Sequence, residues 1–78
     1  MSNPESDLNP KLLGLLAALV RELTDDYEQA EAANKAFHDA NPGRAASEYP
    51  FTQREIRQMK VDMWRAQVEF VREGGDLS

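Results

Sequence analysis

The chain has 78 residues, with nine Lys and Arg against 14 Asp and Glu, a formal charge of −5 and no cysteine. That length fits one domain whose single core holds a fold only marginally, so self-association into a dimer or larger assembly is expected. Without cysteine, a disulfide framework, a thiol nucleophile and a thiolate metal site are all excluded, and a reducing, cytoplasmic setting is the expectation.

Residues 1–8 are polar, and Glu5 and Asp7 stand where a secretory signal would carry positive charge ahead of an apolar run. The chain therefore reads as leaderless, with a disordered tail over 1–8 and a helical domain over 9–75. Asn9 followed by Pro10 is a helix-start signal, since Asn caps exposed amides and proline's missing donor costs nothing at the first helical position. From there Leu12, Leu16, Leu19, Leu23, Tyr27, Ala30, Ala33 and Phe37 recur at steps of three and four, the mark of one helix face. The pattern runs to Asn41-Pro42-Gly43, a stop signal, and predicts a helix about 46 Å long. The apolar run Leu12–Val20 is too short to span a bilayer, which needs roughly 20 residues, so no membrane anchor is expected.

Thr24-Asp25-Asp26 is the one place where this helix could break, because Thr24 can cap and acidic residues suit a first turn. No glycine or proline supports a break, and Leu23 and Tyr27 keep the stripe in phase across it. The reading is therefore all-α: a helical hairpin with a long first helix, assembling further. The alternative is a three-helix bundle broken near Asp25. In the hairpin, the alanine-rich half of the first helix pairs with the second helix and much of the leucine-rich half projects.

A loop over 42–50 follows, in which Ala45–Glu48 can form one helical turn. Thr52 and Glu55 then have capping-box spacing, with Phe51 and Ile56 at the hydrophobic-staple positions, and open a second helix. It ends at Gly74-Gly75, where glycine can take the left-handed conformation that closes helices, and residues 76–78 read as a tail.

The second helix carries two apolar stripes: Ile56, Met59, Met63, Ala66 and Phe70, and Val61, Trp64, Val68 and Val71. Their centres lie roughly 140° apart, so one antiparallel neighbour cannot cover both. The expected interface, with a partner or with another copy, comprises Val61, Trp64, Val68 and Val71 together with Leu12, Leu16, Leu19, Val20 and Leu23. Trp64 is the only tryptophan and has Arg57, Lys60 and Arg65 close in sequence, a pairing of residue types that dominates many binding interfaces.

Catalytic equipment is sparse. His38 is the only histidine, so a multi-histidine metal centre is impossible, and neither EF-hand spacing nor a phosphate-binding glycine run occurs. Serines lie in the tails or the loop, away from any histidine and acid arranged for nucleophilic catalysis. No cofactor and no enzymatic activity are expected. Tyr27, Glu31, Asn34 and His38 form a polar edge on the first helix that could line a small ligand site.

Charge completes the reading. Residues 1–48 hold four basic and nine acidic side chains, whereas residues 49–78 hold five of each, which argues against direct nucleic-acid binding through a broad basic face. The expected function is that of a small acidic helical protein that binds another protein, as an adaptor or as an inhibitor of the regulatory or phage-encoded kind. The alternatives are a nucleotide- or small-ligand-sequestering oligomer and an acidic mimic of nucleic acid.

Overall fold

The computed structural model describes residues 4–77, with side chains from Pro10 onward, and the regular structure among them is entirely helical. Helix α1 spans Pro4–Ala40 and α2 spans Gln53–Arg72, with a single 3-10 turn at Ala46–Glu48 between them. The two helices are in contact.

α1 passes through Thr24, Asp25 and Asp26 without interruption, so the broken, three-helix alternative is not the fold. Continuity keeps every backbone hydrogen bond that a break would forfeit, and Leu23 and Tyr27 remain half-buried on one side. The helix starts at Pro4, six residues ahead of the expected Asn9-Pro10 signal. Proline suits a first helical position, but Pro10 now lies inside the helix and has no N–H to give the carbonyl four residues back. Of the expected tails, residues 1–3 and 78 lie outside the described residues. Residues 4–8 are helical backbone, and 76 and 77 have no regular structure.

The start of α2 is capped as the sequence predicts. Thr52 is extended, and its Oγ1 accepts a 3.1 Å hydrogen bond from the Glu55 amide, while Phe51 is half-buried and Ile56 buried at the staple positions. At the other end Gly74 has φ +102°, the Gly74 amide donates to the Val71 carbonyl and the Gly75 amide to Phe70. This is a Schellman closure, and it satisfies two carbonyls that the helix itself leaves unpaired. The Phe70 ring folds over Gly75 so closely that a Cβ there would stand 2.5 Å from ring atoms.

The connection between the helices is tied to α1 by side chains. Asn34, buried, donates through Nδ2 to the Phe51 carbonyl and accepts from the Phe51 amide, both at 3.0 Å. Tyr49 packs edge-on against Phe37 at 5.5 Å between ring centroids, and its hydroxyl lies 2.7 Å from His38 Nδ1.

From this tie α2 runs back along α1. Tyr27 and Glu31 share a groove with Gln53, Ile56, Arg57 and Lys60, and farther along Leu16, Leu19 and Leu23 share another with Asp62, Arg65, Ala66 and Glu69. Leu16, Leu19 and Leu23 therefore stand alongside α2, where the sequence predicts that much of the leucine-rich half projects. A helix of 20 residues is about 30 Å long, enough to reach back to Leu16.

The core this makes is thin. Its buried apolar members are Ala30, Ile56, Met63 and Ala66, and among the described residues no large side chain is fully buried. The radius of gyration is 17.4 Å, against about 12 Å for a compact domain of this length. The accessible surface is 6041 Å², against about 4,800 Å² for a compact monomer of this mass.

Candidate interaction surface

The second stripe of α2 faces solvent. Trp64 is 52% exposed, Val68 53% and Val71 is similar, while Val61 is half-buried beside them. A shallow groove of about 510 Å³ runs along this face between Val61, Trp64, Arg65, Val68, Glu69 and Arg72. A second, of about 290 Å³, continues it past Val71 to Leu77. Helical geometry also sorts the charges. At about 100° per residue, Arg54, Arg57, Lys60, Arg65 and Arg72 all fall within about 80° of the stripe and Glu55 and Asp62 fall well beyond it, while Glu69, at its edge, lines the groove and pairs with Arg72 at 3.5 Å. Lys60 Nζ stands 5.2 Å from the Trp64 ring, a cation–π contact. The face is thus apolar at its centre and cationic at its margins.

α1 contributes a second exposed patch. Leu15 is 71% exposed, and Leu12 and Leu19 are also open to solvent. Of the leucines and valine expected at an interface, Leu16, Val20 and Leu23 are instead half-buried, and Leu16 and Leu23 line the groove against α2. Leu15, absent from that expected set, turns outward because it lies about 100° round the helix from Leu16. The three-four spacing of Leu12, Leu15 and Leu19 was the available signal, and it continues into the exposed acids Glu22 and Asp26. Among the described residues, none of Glu22, Asp26, Arg54, Arg57 and Lys60 is engaged in an ion pair; the pairs present are Lys35–Asp39, Arg44–Glu48 and Arg72–Glu69.

The polar edge of α1 does not gather into one site. Both polar atoms of Asn34 are held by Phe51, and His38 stands against Tyr49. Tyr27 and Glu31 lie beside Gln53, Arg57 and Lys60 in a groove of about 250 Å³. The hydrogen bond to the Glu31 carboxylate, then desolvation, then the negative charge of Glu31 raise the Tyr27 pKa above its ordinary range. Among the described residues no three His, Asp or Glu side chains cluster as a metal site, and no helix is long and apolar enough to cross a membrane.

Compared with family models, curated proteins and solved structures, the chain has no match. Its class is therefore defined by form alone: a two-helix chain with two solvent-facing apolar surfaces, one rimmed by cations and the other leading into acids.

Proposed function

We propose that this protein acts by binding another protein, as an adaptor or inhibitor, and that α2 docks the partner through its Trp64 face. The observation that carries this reading is the exposed stripe of Trp64, Val68 and Val71 flanked by Arg54, Arg57, Lys60 and Arg65, with Arg72 beside them paired to Glu69. With about half of each side chain exposed, a partner that covers the stripe gains about half of the roughly 1.5–3 kcal/mol that full burial of such a side chain contributes. Tryptophan and arginine together are the residue types on which binding energy concentrates. The matching partner is an acidic amphipathic helix: its apolar positions fill the groove and its carboxylates meet the flanking cations.

Titration with two sets of helical peptides tests this, both carrying leucines at heptad spacing, one set acidic and the other basic. Trp64 is the sole tryptophan, so its emission reports directly. The acidic set is expected to shift that emission to the blue as water leaves the ring, and Val68→Asp to abolish the response while helix content by circular dichroism is kept. Equal responses to acidic and basic peptides, or none to either, would refute the proposal.

A further inference from the structure

The chain itself carries a helix of the kind that the Trp64 face fits. Along α1, Leu12, Leu15, Leu19, Glu22 and Asp26 follow at steps of three, four, three and four, so they form one stripe, apolar and then acidic. Along α2, read from its C-terminal end, Val71, Val68, Trp64, Val61 and Arg57 follow at steps of three, four, three and four, apolar and then basic. Laid antiparallel, Leu12 meets Val71, Leu15 meets Val68 and Leu19 meets Trp64. Seven residues farther along each helix Asp26 meets Arg57, with Glu22 beside Lys60 and Val61. Hydrophobic pattern and charge pattern thus agree in a single register. Lys11, facing Arg72 at the outer end, is the one like-charge approach.

We infer that a second copy of this chain is the occupant of both surfaces, the leucine stripe of α1 in one copy packing on the Trp64 stripe of α2 in the next. The inference rests on the docking face proposed above, and an outside partner reaches that face in competition with the second copy. Two features of the molecule support self-association. The excess of roughly 1,200 Å² over a compact monomer's surface lies between what a chain gives up in one stable interface, about 800 Å² per partner, and in the two that an inner head-to-tail copy makes. Among the described residues, the acids and bases that the register brings together have no ion-pair partners within the chain.

The two stripes belong to different patches. The leucine stripe borders the groove shared with Asp62, Ala66 and Glu69, whereas the Trp64 stripe lies roughly 140° round α2 from its packing face. The contact is therefore head-to-tail. Each copy that joins leaves one leucine stripe and one Trp64 stripe free, so assembly continues until a ring closes or a filament grows.

Two full-length variants separate this arrangement from a symmetric dimer: Leu15→Glu disables one stripe and Val68→Asp the other, and both positions are solvent-exposed in the single chain. Light scattering over a concentration series is expected to show the unaltered chain growing beyond a dimer. Each variant alone should remain monomeric, and an equimolar mixture of the two should form one heterodimer and nothing larger. A wild-type chain monomeric up to millimolar concentration would overturn the inference, as would a mixture that stays monomeric or a single variant that still dimerises. Acidic peptides that shift Trp64 emission on a persistently monomeric chain would overturn self-assembly alone and leave the docking face standing.

Discussion

Asn34 shows how much of this fold depends on one amide. Its donor and acceptor are matched to the carbonyl and amide of the same residue, Phe51, a two-point tie between α1 and the entry to α2. Alanine at this position leaves two partly buried backbone groups without partners. Asn34→Ala is expected to cost about 2 kcal/mol in urea unfolding; a loss below about 0.5 kcal/mol would mean that water replaces both bonds. The sequence marks Asn34 only as part of a polar edge, because its partner is backbone and any residue at position 51 offers the same two groups. The outward direction of Leu15 escaped for a related reason, although its spacing from Leu12 and Leu19 was on view. Periodicity places it on a helix, but which way it points is set by the rotation that puts Ala30 and Asn34 against α2.

Helix ends were more legible than helix faces, since caps are decided by neighbours in sequence. Thr52 and Gly74 act as their spacing predicts, and the unbroken passage through Thr24–Asp26 follows from the constant phase of Leu23 and Tyr27. The start of α1 was legible but ambiguous: Asn3-Pro4 repeats the Asn-Pro signal of Asn9-Pro10 and has Glu5 and Asp7 just after it, and the helix begins at the earlier of the two prolines. The two helical contexts of glycine yield an opposed pair of outcomes. Gly14 lies inside α1 with open space where a Cβ would stand, so Gly14→Ala is expected to stabilise by about 0.5–1 kcal/mol through helix propensity. Gly74 has φ +102°, and Gly74→Ala is expected to destabilise by about 1–2 kcal/mol. Thermal melts of both variants check the signs, and a shared sign would contradict the assigned backbone at one of the two.

For the assembled protein, thin burial within one chain makes stability a function of concentration. If copies bind the folded chain and not the unfolded one, mass action raises the melting temperature as the protein is concentrated. A rise of a few degrees per tenfold increase is expected, given about 4–8 °C per kcal/mol for a domain of this size. Leu15→Glu should flatten that dependence, and a wild-type melting temperature constant from micromolar to millimolar would show that the single chain carries its stability alone. The all-helical class was legible from two long periodic segments. How two faces on separate helices are disposed around the pair was not, because it depends on the contact between them. That contact has one further consequence. Beside the small Ala30 and Ala66 the seam buries Ile56 and Met63, apolar contacts without the directional preference of a hydrogen bond. Asn34 and Phe51 therefore act as an axial stop: they fix the phase of α2 against α1, and with it which carboxylates, those of Asp62 and Glu69, stand beside the leucines.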